Sequence, residues 1–338
     1  MDFSAIPVAV LLAVTLAANL TASVIQTKYS HRCGGGMSAL YFYTAASAAV
    51  STLAVFLLSG CRMRFSAFTV WLALLFGAVI CLQQLTLLLA LSKGPLSYTM
   101  VIVSMSTLIT ALSGVLFWQE SLRPLQLVGI ALMLLCLFLS VKKEPKTGEQ
   151  GGAHRLSLRW LCLSLLSMAF NGAVGILQKT HQTSAHKEEL PAFLLVAFAF
   201  CAVFSLLCCC FLHYKGKRAQ TRSKTNGRGQ AKSEAGGIAP SKSKADSEEM
   251  QTQKSSRLRF VRHFAWIFPL AGICTALCHC INLYLSGVLA AAIFFPIVNG
   301  GALMLTTIAS RFLFRERLAL SQWLGLALGA VATLLLCL

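Results

Sequence analysis

Residues 117–134 read "FWQESLRPLQLVGIALML", and residues 312–330 read "FLFRERLALSQWLGLALGA". At an offset of 196, Glu120 meets Glu316, Leu122 meets Leu318, Gln126 meets Gln322 and Gly129 meets Gly325. Ala131 and Leu132 meet Ala327 and Leu328. A phrase written twice in register marks an internal repeat, and the repeat decides how the rest of the chain is read.

The phrase sits in apolar surroundings. The 338 residues are 57% hydrophobic and 12% charged, and mean hydropathy is +0.72, more apolar surface than a soluble domain buries. An integral membrane protein follows. Runs of about 20 apolar residues, enough to span a hydrocarbon layer of about 30 Å as helix, fall near 6–25, 37–59, 66–91, 97–118, 123–140, 158–177, 190–213, 264–286, 289–310 and 318–337. The runs do not alternate, which excludes a barrel. No Lys or Arg precedes the first run, so it reads as a retained helix rather than a signal peptide. The expected fold class is an all-α polytopic membrane protein of ten helices.

The repeat extends into the first and sixth runs. "NLTASVIQ" and "NGAVGILQ" place Asn19 with Asn171 and Gln26 with Gln178 at an offset of 152. In each, the two amides stand seven residues apart, two turns along one helix face. Five-helix halves at 1–140 and 158–338 flank a polar linker, 141–157. An odd number of crossings per half sends the second half in from the opposite side, so the repeat is expected to be inverted.

Residues 214–262 break the apolar pattern, with 13 basic and 4 acidic side chains among Ser, Gly and Gln. Such a composition cannot offset its ordering entropy and reads as a disordered loop, solvated and brushing anionic lipid. The loop supplies half of the formal charge of +18, so the high pI does not point to nucleic acid. Most of the 13 cysteines lie inside spans and read as small apolar side chains, with no disulfide framework. The "CHC" at 278–280 points around a helix rather than at one ion, so no metal is expected.

The chain resembles the drug/metabolite transporter superfamily in its ten-helix EamA-type branch. The resemblance rests on "ALSKGPLS" at 90–97, on the two Glu–Leu–Gln–Gly phrases and on "FFPIVNGGAL" at 294–303, and spans all but the 214–262 loop. It implies a metabolite carrier or exporter that works by alternating access, with substrate held between the halves and no cofactor.

Polar side chains inside spans point to a cavity, because in hydrocarbon each must find a partner or water. The candidate substrate-binding residues are Asn19, Gln83, Gln84, Ser106, Asn171, Gln178, His279, Asn282 and Asn299, with Ser104, Thr107, Tyr98, Phe294 and Phe295 near them. At the 196 offset Gln83 falls on His279 and Thr86 on Asn282. Spans one, three, four, six, eight and nine should therefore enclose the cavity. An interhelical hydrogen bond competes with substrate contact at each position. His279, with an ordinary pKa of about 6.5, could relay a proton or simply be a fixed hydrogen-bonding group. Pro296 with Gly300 and Gly301 makes "PIVNGG" the expected hinge. Glu120 and Glu316 are expected to cap the turns after spans four and nine, with a gating role as the alternative, while Gly129 and Gly325 admit a close helix neighbour.

All eleven acids lie in loops or at helix ends, and no Lys or Arg falls mid-span. The first absence disfavours a proton-coupled drug exporter, and the second a nucleotide-sugar exchanger, whose phosphates call for fixed positive charge. A neutral or zwitterionic, amino-acid-like solute fits better. The alternative is a non-transporting sensor or scaffold that uses the basic loop. An enzyme is disfavoured, since no phosphate loop or nucleophile–base pair is present. Arg62, Arg64, Arg123, Lys179 and Lys187 fall on the side of the termini, five basic residues against 24 on the other side, or 11 without the long loop. The positive-inside rule then puts the termini outside, the long loop in the cytoplasm and the protein in the plasma membrane.

Overall fold

The computed structural model describes residues 5–33, 36–60, 63–120, 123–141, 158–231, 266–313 and 320–337. Among these, all regular structure is helical. In order come α1 (Val8–Cys33), α2 (Met37–Leu58), α3 (Ala67–Leu91), α4 (Leu96–Ser104), α5 (Ser106–Trp118) and α6 (Pro124–Val141). Then follow α7 (Leu158–Thr183), a 3-10 turn at Lys187–Glu189, α8 (Leu190–Ala231), α9 (Ile267–Val288), α10 (Ala291–Leu313) and α11 (Leu320–Cys337). Eight stretches among the described residues are long and apolar enough to cross a membrane, α4 and α5 jointly providing one of them. The protein is a multi-pass integral membrane protein. Trp71 and Trp266 are exposed near opposite ends of the spans, where membrane–water interfaces favour tryptophan.

Local chemistry sets the helix ends. Ser66 Oγ accepts from Thr69 N–H at 3.2 Å, capping α3, and the Ser66 hydroxyl and N–H both donate to Glu189 Oε2, at 2.7 and 3.0 Å. At α6, Pro124 takes the first helical position, where its missing N–H goes unneeded. Gln126 reaches back, its Oε1 accepting from Arg123 N–H at 3.0 Å, one arm of a capping box. The repeated glutamine of the opening phrase is thus a helix start signal. The side chain of its counterpart Gln322, and all of Glu316, lie outside the described residues.

Two helices run further than the sequence suggests. α7 continues to Thr183 rather than ending near 177, because Gln178, Lys179 and Thr180 are tolerated in a helix and no Gly or Pro stops it. α8 continues through 214–231, which corrects the reading of that stretch as disordered loop. At 1.5 Å per residue its 42 residues extend about 63 Å, twice the hydrocarbon thickness. The segment past Tyr214 contains good helix formers and no proline, so the turn hydrogen bonds propagate out of the apolar part. Residues 232–262 of the expected loop, and 142–157 of the linker, lie outside the described residues.

The packing follows a pattern. α2 lies along α8 and α6 along α11; α3 packs on α7 and α8, while α9 packs on α1 and α2. The core between α2, α3, α8 and α9 holds Tyr43, Phe76, Phe193 and Phe198, all fully buried. α3 and α8 approach so closely at Gly77 that a Cβ there would stand 2.5 Å from the Ala197 carbonyl oxygen. Gly129 and Gly325 are buried on α6 and α11, the two helices that pack together.

Candidate functional site

A cavity of about 140 Å³ lies inside the bundle, lined from α1, α3, α4, α7, α9 and α10. These are the six spans that the polar positions indicate. Of the nine candidate residues, Asn19, Gln83, Gln84, Asn171, Gln178, His279, Asn282 and Asn299 line it. Ser106 stands behind the wall and accepts from Asn171 Nδ2 at 2.7 Å. Phe294 and Phe295 line the cavity, whereas Tyr98 packs beside Trp160 and Ile102, away from it.

Helical spacing explains the convergence. On α1, Asn19, Ser23 and Gln26 follow at intervals of four and three, and on α9, Thr275, His279 and Asn282 do the same, so each set forms one stripe. Cross-helix hydrogen bonds hold the stripes. Gln26 Nε2 donates to Gln84 Oε1 at 2.9 Å, joining α1 to α3. In the other half Gln178 Nε2 and His279 Nδ1 are 3.3 Å apart, joining α7 to α9. Thr15 Oγ1 donates to Asn282 Oδ1 at 3.0 Å. Both Gln26 and Gln178 belong to the repeated Asn–Gln pairs, and each bonds to the helix two spans ahead of its own.

The backbone is irregular beside the cavity. Met105 separates α4 from α5, its N–H bonded to Ile102 O at 3.1 Å, and Leu108 N–H bonds to Met105 O at 3.0 Å. These are tighter i to i+3 bonds in place of the α-helical pattern. Asn299 of α10 bridges the break: its backbone oxygen accepts from Ser104 Oγ at 3.3 Å and its Nδ2 donates to Thr107 Oγ1 at 3.0 Å. α10 itself continues through Pro296, which cannot donate to the carbonyl four residues back.

His279 is held by more than Gln178. Its ring meets Phe76 and Phe198 edge-on, with centroids 6.0 and 5.5 Å away. Among the described residues no Asp, Glu, Lys or Arg lines the cavity. Cys278 lines it and donates to Thr15 O at 3.4 Å, while Cys280 is buried in the neighbouring core, so the "CHC" residues diverge around the helix. No group of three or more His, Cys, Asp or Glu able to hold a metal occurs among the described residues.

No family model and no curated protein matches the chain. Among solved structures, a crystal structure of a protein superposes over 96% of this chain and 94% of its own, with a TM-score of 0.54 at 14% identity. At that identity the likeness is one of fold.

Glu120 departs from the expected cap of its own turn. Its carboxylate accepts from the N–H groups of Ala291 at 2.9 Å and Ala292 at 3.4 Å, so it caps α10, 171 residues away. It also pairs with Lys179 at 3.1 Å. Lys179, expected in a loop, is buried on α7, one turn before the helix ends at Thr183. Sequence reasoning also passed over Thr15, Ser23, Thr275 and Cys278. The spacing of four from Asn19 to Thr15 and Ser23, and from His279 to Thr275, would have found three of them.

At the opposite ends of these helices, Trp160 of α7 donates from Nε1 to Thr99 Oγ1 of α4 at 3.1 Å, both residues buried. Polar contacts thus tie α7 to α4 near one end of these helices and to the residue following α5 near the other.

Proposed function

We propose that the protein is a transporter that moves a small neutral or zwitterionic metabolite, amino-acid-like in its chemistry, across the membrane by alternating access. The observation that carries this reading is the cavity itself: uncharged amides from both halves of a membrane bundle converge on one space. Side-chain amides offer donors and acceptors together, which suits a solute with both, and intramembrane polar positions mark solute pathways. The volume, about 140 Å³, is short of the roughly 300–1,000 Å³ of drug-sized pockets. That size, with no fixed charge on the wall, disfavours a drug or a nucleotide sugar.

In this reading α6 and α11, of 18 residues each, join the eight longer spans to make ten crossings in two inverted five-helix repeats, as in an EamA-type transporter. The helix pairings support it. Exchanging the halves turns the packing of α3 on α7 and α8 into that of α9 on α1 and α2, and returns the pairs α2–α8 and α6–α11 to themselves. The site is the plasma membrane, with the termini outside and the end of α8 in the cytoplasm. Lys179 is withdrawn from the loop charges of the outer side by its ion pair, which widens the basic asymmetry in the same direction. A scaffold function has one observation in its favour, the helical continuation of α8 to Ala231, which could present a basic segment to a partner or anionic lipid.

The test is uptake and counterflow in proteoliposomes with a panel of radiolabelled amino acids, organic cations and nucleotide sugars. Uptake of a neutral or zwitterionic solute is expected. Uptake of cations or nucleotide sugars alone would overturn the substrate class, and uptake of nothing would return the scaffold reading.

A further inference from the structure

Beside the cavity lies a buried charge pair that the transport reading does not use. Glu120 follows α5 in the first half of the chain, whereas Lys179 lies one turn before the end of α7 and Ala291 opens α10, both in the second half. Lys179 Nζ is 3.1 Å from Glu120 Oε1 and donates to Leu289 O at 3.0 Å. The two side chains are only 8% and 15% exposed. The Glu120 carboxylate rests on Gly114, where a Cβ would lie 2.7 Å from Oε2. Lys179 directly follows Gln178, and Ala291 lies one turn before Phe294 and Phe295, all three cavity-lining residues. The pair therefore lies beside one end of the cavity, which in the alternating-access reading is one of its two mouths.

Its chemistry is that of a contact made only when the halves meet. The carboxylate is stabilised by the N-terminus of α10 and by the ammonium of Lys179 together, through charge-assisted bonds. Removing one charge leaves the other buried and unpaired, whereas parting the halves delivers both to water, which solvates them. Capping α10 would need the carboxylate alone; the lysine adds a second attachment that is lost when the mouth opens. We propose that Glu120 and Lys179 are the gate of this mouth, a pair that holds α5, α7 and α10 together while the cavity faces the other side. The proposal rests on the alternating-access reading.

Cys278 lines the cavity and reports on its accessibility without any substrate. In a background with the other cysteines replaced by alanine, a membrane-impermeant maleimide is applied to each face of sealed vesicles, and modification of Cys278 is followed by peptide mass spectrometry. Glu120→Gln retains an acceptor for the α10 amides and removes the charge; Lys179→Met removes its partner. Each is expected to speed labelling at least tenfold from the face that also reaches Ala185→Cys, in the loop after α7. Gly114→Cys with Ala291→Cys supplies the opposite test, since a Cβ at 114 lies 3.3 Å from Ala291 Cβ, close to the roughly 3.5–4.5 Å of a disulfide. Oxidation should slow Cys278 labelling from that face at least tenfold, and reduction should restore it. Folding is verified by monodisperse elution and circular dichroism.

Folded charge variants that label at the parent rate, with a cross-link that forms and changes nothing, would overturn the gate and leave solute uptake untouched. Cys278 unreachable from both faces in every folded variant would overturn the gate and the alternating-access reading together. If the charge variants fail to fold, the cross-linked protein decides alone, slowed labelling supporting the gate and unchanged labelling refuting it.

Discussion

Asn171 shows how a single amide serves both the fold and the cavity. Its Nδ2 donates to Ser106 across two helices at 2.7 Å. Interhelical hydrogen bonds in membranes average about 0.6 kcal/mol, so losing this one should leave the bundle standing. Asn171→Leu is expected to insert and purify normally and to lose uptake, as is Asn299→Leu. Loss of expression in both would assign them to packing instead. Gly77 lies at the other extreme. An added methyl would stand 2.5 Å from a backbone oxygen of α8, which cannot rotate away as a side chain would. Gly77→Ala should cost about 1–3 kcal/mol, seen as a melting temperature several degrees lower in detergent. An unchanged melt would mean that α3 and α8 approach less closely than described.

At the scale of elements, α10 combines an internal proline with the residues that clamp the α4–α5 break. Pro296 removes one backbone hydrogen bond, and Asn299, a turn later, touches both sides of Met105. A helix lacking that bond bends more readily. If α10 bends during the transport cycle, Pro296→Ala should lower the maximal uptake rate severalfold and leave the half-saturating solute concentration within twofold. A change confined to that concentration would make Pro296 a packing residue. α8 carries the other prediction. Its described contacts are made by its apolar first part, through residues such as Phe193, Leu194 and Phe198. Deleting 220–255 should therefore leave uptake unchanged, whereas an inserted but inactive deletion variant would point to a partner recruited through this segment.

For the molecule as a whole, orientation decides which mouth the Glu120–Lys179 pair closes. In the proposed topology basic residues concentrate on the side of Lys28, Arg32 and the end of α8, and we propose from the positive-inside rule that this side is cytoplasmic. In a cysteine-free background, an impermeant thiol reagent should modify a cysteine at residue 3 in intact cells and miss one at residue 235. The reverse pattern would invert the topology and place the Glu120–Lys179 mouth on the cytoplasmic face.

The sequence by itself determined that the chain is a helical membrane protein and which stripes are polar, because apolar run length and a period of 3.6 residues are local properties. The amides of Asn19, Gln26, Asn171 and Gln178 were legible for the same reason, their spacing alone placing them on common faces. It could not end α7 or α8, since a polar residue does not stop a helix, no proline follows in either extension, and an isolated glycine inside a helix costs only about 1 kcal/mol. Only the tertiary structure decided what these residues meet. That Gln178 bonds to His279, that Tyr98 turns away from the cavity, and that Glu120 caps a helix of the other half beside a buried lysine all depend on contacts between segments over a hundred residues apart or on the packing around them. Burial and charge pairing depend on how the halves pack against each other, and no local pattern in the chain records that packing.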